Sequence, residues 1–135
     1  MILRKEVRIF ERLKGRSEIS TVFKKGRTII STDKKLRANL LSSKHPANKI
    51  KVAIAVSSKA GNSVWRNRLK RIVRESIRQE MVFLKKQTNN NRQGLSLIFS
   101  PHRLSQGNDK KLFLRDIKPA VIDILDKITK TISRN

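Results

Sequence analysis

Cysteine is absent from this chain of 135 residues, which excludes disulfides and thiolate metal sites and fits a reducing compartment. Long apolar runs are missing too. The longest candidates are short segments such as Leu95–Phe99, far below the ~20 residues that a membrane span needs. The opening twelve residues scatter Arg4, Lys5, Glu6, Arg8, Glu11 and Arg12 among their apolar neighbours, so no secretory signal is read there. With five glycines and three prolines, none clustered, no linker divides the sequence, and no internal repeat is visible. One domain with one modest core is expected over residues 1–135, with flexible ends at 1–11 and 129–135.

Acid is the other scarcity. Ten Asp and Glu face 33 Lys and Arg, a formal net charge of +23. Self-repulsion on that scale disfavours a compact state unless a polyanion neutralises it. Nucleic acid is the partner this composition suits best, and a membrane surface the weaker one. A cytoplasmic, basic protein, monomeric on its own, is the expected class.

Ser17 to Lys25 reads as a short helix, with Ser17 as cap, Ile19, Val22 and Phe23 on one side, and Gly26 closing it. From Leu36 to Leu41 the period drops to two, as in a half-buried strand: Leu36, Ala38 and Leu40 alternate with Arg37 and Asn39. Residues 42–48 are a turn by composition. A second strand follows at Lys51–Ser57, where Val52, Ile54 and Val56 alternate with the small Ala53, Ala55 and Ser57. The longest helix runs from near Ser63 to about Lys86. Trp65, Leu69, Ile72, Val73 and Ile77 share one arc, and Asn67, Lys70, Arg71, Arg74 and Arg78 fill the opposite one. After a polar linker at 87–93 come a third strand, Leu95–Phe99, and a last helix begun by Asn108, kinked or restarted at Pro119. The order α-β-β-α-β-α, with one apolar stripe per helix, predicts a two-layer α+β sandwich.

Seven basic residues lie between Lys59 and Arg78 (Lys59, Arg66, Arg68, Lys70, Arg71, Arg74, Arg78), against a single acid, Glu75. On one helix face such groups project together, and a guanidinium can hold a phosphate through two hydrogen bonds. Asn67 adds an amide suited to a ribose hydroxyl or a base edge. A solvated amphipathic helix is the bland alternative, but crowded like charges without acidic relief cost stability unless a partner compensates. Trp65 shares its phase with Leu69 and Ile72, so packing explains it better than stacking. Phe83, Phe99 and Phe113 carry no signal beyond burial or contact.

The run from Val56 to Glu75, with Gly61-Asn62 leading into Arg66-Asn67-Arg68, Lys70-Arg71 and Arg74, resembles the signature of the bacterial ribonuclease P protein component. Arg12-Leu13-Lys14 and the stretch Val22-Phe23-Lys24-Lys25-Gly26-Arg27 resemble that family's opening helix and its closing glycine. The resemblance implies a left-handed β-α-β crossover holding the Arg-Asn-Arg helix. It implies that Lys59, Asn62, Arg66, Asn67, Arg68, Lys70, Arg71 and Arg74 bind the catalytic RNA. A cleft between the first helix and the sheet, here Ile19, Phe23, Arg27, Arg37 and Ser57, would take the 5′ leader of precursor tRNA. Hydrolysis would belong to the RNA with Mg2+ bound mainly by that RNA.

Three positions depart from the family pattern. Ile19 and Arg37 stand where aromatics are usual, and Ser58 where lysine is common. At 4% aromatic and with no tyrosine, the chain has few platforms for base stacking, worth roughly 1–3 kcal/mol per base, and Arg37 can offer its guanidinium plane instead. A nuclease site built from the protein itself is not expected. His45 and His102 each sit beside a proline as surface residues, and Asp109, Asp116, Asp123 and Asp126 are spread along the last helix. A ribosomal or other structural RNA-binding protein would share the charge and the α+β content, though not the Gly-Asn…Arg-Asn-Arg spacing.

Overall fold

The computed structural model describes residues 11–43, 49–91 and 94–133. His45 and the N-terminal ten residues lie outside these. Eight elements follow in order: β1 (Glu11–Arg12), α1 (Arg16–Lys25), β2 (Arg27–Ile30), β3 (Leu36–Ser43), β4 (Ile50–Ile54), α2 (Ser63–Asn91), β5 (Gly94–Pro101) and α3 (Leu114–Ser133). The five strands form one sheet in the order β1-β4-β5-β3-β2. β4 and β5 are parallel neighbours joined through α2, which is the expected β-α-β crossover. β3 runs antiparallel to β5 and β2 antiparallel to β3.

Strand alternation gives the sheet two different faces. Leu36, Ala38 and Leu40 of β3, Ile50 and Val52 of β4, and Leu95, Leu97 and Phe99 of β5 are buried on one of them. Against these pack Leu69, Val73 and Ile77 of α2, and Val121, Ile124 and Ile128 of α3. Filling this layer is the main source of stability: removing one buried aromatic such as Phe99 to alanine costs about 3–5 kcal/mol. Among the described residues, α1 is the helix on the other face. Val22 of that helix, Leu13 and Ile98 form a small second cluster, with Ile19, Leu41, Ala53 and Ala55 at its margin.

The α+β class, the three long strands and the three helices agree with the sequence pattern, and several details differ for physical reasons. Ser17 does not cap α1. Gly15 precedes the helix with φ +89°, a left-handed value that glycine reaches freely, and Ser17 instead receives the Thr21 hydroxyl on its carbonyl at 2.8 Å. Gly26 is extended, with φ −77° and ψ 165°. It is glycine because the chain passes close to β3: a Cβ there would sit 2.4 Å from the Val22 carbonyl oxygen and 2.8 Å from that of Leu40. The β2 strand lacks a full alternating pattern, since Ile29 is its one buried residue, and the sequence does not announce it.

Helix α2 continues through the Gln-Thr-Asn stretch to Asn91, because no glycine or proline stops it before Gly94. Helix α3 starts at Leu114, not at Asn108. The carbonyls of Asp109 and Leu112 are taken by Trp65 Nε1 (2.8 Å) and Arg68 Nε (2.9 Å), which holds 109–112 along α2 and out of helix. Pro119 lies inside α3 without interrupting it. The helix reaches Ser133 with Ile132 buried, so the expected flexible end from 129 is docked helix as far as 133. The start of the chain is tied likewise from Glu11, where β1 pairs with β4 and Leu13 N–H donates to the Val52 carbonyl at 2.8 Å.

One polar knot fixes α3 to the β2–β3 turn. Asp123 Oδ2 accepts from Thr32 N–H at 2.7 Å, from the Thr32 hydroxyl at 3.0 Å, and pairs with Lys127 at 3.1 Å. Partial burial alone would raise the Asp123 pKa. The Thr32 backbone hydrogen bond, with those of Lys127 and the Thr32 hydroxyl, outweighs it and leaves the carboxyl below its usual range.

Candidate RNA interface

Helix α2 begins where the sequence turns polar after β4. Ser57 closes a tight turn, its carbonyl accepting from Ala60 N–H at 3.0 Å and its hydroxyl from Lys59 N–H at 3.1 Å. Asn62 is the N-cap: its Oδ1 accepts from Trp65 N–H at 2.9 Å. Gly61 leaves room for the Trp65 ring and Gln106, each of which a Cβ there would meet at under 3.0 Å. Trp65 is buried and donates Nε1 to the Asp109 carbonyl, so it packs as its phase suggests. The carbonyl oxygen of Asn62 is thus spent inside the protein, a structural duty absent from its RNA-binding assignment.

From this fixed start the basic side chains are laid out by helical pitch alone. Asn67, Arg71, Arg74 and Arg78 are exposed, opposite the buried Leu69, Val73 and Ile77, with Lys70 half-buried beside them. Arg66 and Arg68 stand on the two flanks of this arc. Each uses Nε internally, Arg66 toward the Gly61 carbonyl (3.1 Å) and Arg68 toward that of Leu112 (2.9 Å). That bond orients each guanidinium and leaves its terminal nitrogens for a phosphate. Glu75, the one acid of this stretch, pairs with Arg78 at 3.0 Å.

A second surface lies across the sheet. Phe23 is 43% exposed on α1, on the flank away from Ser17 and Thr21, and Ile19 is half-buried beside it. Arg37 points to the same sheet face as Ile98 and Ser100, is exposed, and donates Nε to the Ser100 hydroxyl at 3.4 Å. Half-buried Ala53 and Ala55 give this face a shallow, low floor beside α1, which packs on β3 and β5 and reaches β4 through a Glu18–Lys51 ion pair at 3.6 Å. Ser57 follows Ala55 along the chain, at the turn before α2. Arg27 does not join the group. Its register partner is Leu40, so it shares the helix-covered side at the sheet edge, while Thr28 and Ile30 lie on the Arg37 side. Asn39, buried beneath this face, donates Nδ2 to the Thr28 hydroxyl at 3.2 Å and braces β3 against β2.

Among the described residues no group of three or more His, Asp or Glu side chains could hold a metal ion, and no helix is long and apolar enough to cross a membrane. By fold and surface this is a small α+β protein that exposes an arginine-rich face on one long helix. The ribonuclease P family model matches residues 8–124, and the chain belongs to that family. It is 34% identical over 84 residues to the ribonuclease P protein component of Clostridium botulinum, covering 62% of this chain and 67% of that one. The Bacillus cereus protein of the same name is 36% identical over 66 residues, 49% of this chain and 55% of the other. Its fold is shared with the RNase P protein of Staphylococcus aureus (TM-score 0.66, 20% identity, 87% of this chain and 94% of that one). The Thermotoga maritima RNase P protein superposes equally well (TM-score 0.66, 19% identity, 87% and 96%).

Proposed function

We propose that this chain is the protein subunit of a cytoplasmic ribonuclease P and serves the 5′ maturation of tRNA, a monomer on its own that holds two RNAs at once. The α2 face (Arg66, Asn67, Arg68, Lys70, Arg71 and Arg74, with Lys59 at its entry) binds the catalytic RNA. The cleft of Ile19, Phe23, Arg37 and Ser57 receives the single-stranded 5′ leader of precursor tRNA. Hydrolysis belongs to the RNA with Mg2+, and the protein contributes substrate affinity. The observation that carries this reading is the continuity of the two surfaces: the chain leaving β4 runs from Ala53 through Ala55 and Ser57 directly into the turn that starts α2. RNA held along the helix and RNA held in the cleft would meet at that turn. The alternative of a structural RNA-binding protein is not favoured, since the family match extends over both surfaces.

The salt dependence of binding to a ribonuclease P RNA tests the α2 assignment. Each phosphate neutralised contributes about 0.7–0.9 to the log–log slope. Arg71→Ala removes an exposed guanidinium with no internal hydrogen bond assigned to it, and should lower the slope by about that amount with the helix intact. An unchanged slope with unchanged circular dichroism removes Arg71 from the interface.

A further inference from the structure

Aromatic side chains are so few here that each exposed one needs a reason. Among the described side chains Trp65 and Phe99 are buried, and only Phe23 and Phe113 are exposed aromatics. Phe23 has its place in the leader cleft. Phe113 does not: it lies on the other side of the sheet, immediately before α3, 40% exposed and followed by the exposed Leu114. The Arg115 guanidinium rests over its ring at 4.9 Å from the centroid. An apolar ring left open to water is unfavourable unless something covers it, and a guanidinium stacked on it makes a flat, cationic, two-layer surface.

Its position is set by α2. Arg68 Nε holds the Leu112 carbonyl at 2.9 Å, and Trp65 Nε1 holds that of Asp109, so residues 109–113 run along the flank of the helix that carries Arg68. Phe113 is therefore one residue from a direct contact with the central arginine motif. Val64, one turn before Arg68, is 77% exposed on the same flank. Arg115 lies over the ring, and Lys110 and Lys111, three and two residues before Phe113 in the chain, are exposed as well. Of the two acids in this segment, Asp109 turns its carboxylate toward Ser105 N–H (3.3 Å).

We propose that Phe113 and Arg115 form a stacking platform for an unpaired base of the RNA whose phosphates lie along α2. The inference rests on the functional reading above and adds a second kind of contact to it. The α2 arginines recognise phosphate, which every nucleotide carries, whereas the platform recognises a base freed from its helix. A strand following the arginines past Arg68 would bring its next unpaired base over the ring. Charge complementarity selects RNA as the occupant, and a protein partner with an apolar patch would be repelled by the exposed lysines unless strongly acidic.

Stacking and phosphate contacts differ in salt dependence, and this separates them. The experiment measures full-length wild type, Phe113→Leu, Phe113→Trp and Arg71→Ala against a ribonuclease P RNA transcript over a salt series. Phe113→Leu keeps apolar bulk at an exposed position and should weaken binding about five- to tenfold with an unchanged salt slope. Phe113→Trp should restore or exceed wild-type affinity, while Arg71→Ala lowers the slope. A photoreactive benzoyl-phenylalanine at 113 should crosslink to the RNA; the same group at Lys130, about 25 Å further along α3, should not. Wild-type affinity in Phe113→Leu, or no crosslink from 113, overturns the platform and leaves the functional reading standing. A wild-type protein that does not bind the transcript overturns both.

Discussion

Gly26→Ala tests how α1 is held over the open face of the sheet. The new Cβ would lie 2.4 Å from the Val22 carbonyl oxygen and 2.8 Å from that of Leu40, and both neighbours are backbone that cannot swing aside. Either α1 lifts from β3 or its last turn unwinds, breaking the Gly26 N–H bond to Val22 O at 2.8 Å. Overpacking costs about 1–3 kcal/mol and the lost hydrogen bond about 1. The stiffer unfolded chain of alanine returns about 0.4–1 kcal/mol, leaving a net loss of about 1–3 kcal/mol. With a urea m-value near 2 kcal/mol/M, the unfolding midpoint should fall by about 0.5–1.5 M. Gly107→Ala is the control, because its Cβ would meet nothing nearer than the Ser105 hydroxyl at 3.9 Å. The same displacement would carry Phe23 away from the cleft while sparing α2, so leader binding should weaken and affinity for the catalytic RNA should hold. A midpoint equal to that of Gly107→Ala would refute the close-approach account of this glycine.

Asp123→Asn should cost about 1 kcal/mol, modest because a third of the side chain meets solvent. Since the folded pKa is depressed, this contribution is present above the unfolded value of about 4 and is lost as pH falls below it, so urea midpoints of wild type and variant should converge at acid pH; a constant gap from neutral to acid pH contradicts this. Arg37→Ala should weaken holoenzyme affinity for precursor tRNA bearing a leader of several nucleotides and leave mature tRNA unaffected, compared by dissociation constants at fixed salt. Equal losses for both ligands would reduce Arg37 to part of the general positive field.

What the sequence discloses follows from which forces are local. The buried arc of α2 is legible because Trp65, Leu69, Val73 and Ile77 repeat at helical spacing, and the basic arc is its geometric complement. The alternation of Leu36, Ala38 and Leu40 likewise reveals β3 and predicts that Arg37 faces away from the core. Features set by partners distant in sequence are hidden. β2 is an edge strand defined by pairing to β3 more than by its own pattern, so Arg27 could not be assigned a face from sequence. The late start of α3 depends on Trp65 and Arg68 claiming carbonyls 44 residues away. Gly26 is visible in the sequence, but its role is a close approach between two backbones, not the left-handed turn that glycine often signals after a helix. Phe113 gave no sequence signal, because exposure is a property of the fold.

The most direct test of the account is reconstitution. Purified protein is added to a ribonuclease P RNA at low Mg2+ with end-labelled precursor tRNA, and the cleavage site is mapped. Cleavage at the mature 5′ end is expected from RNA and protein together, strongly stimulated over RNA alone, and none from the protein alone. Cleavage at that end by rigorously RNA-free protein, or a protein that leaves the RNA's activity unchanged, would contradict this account.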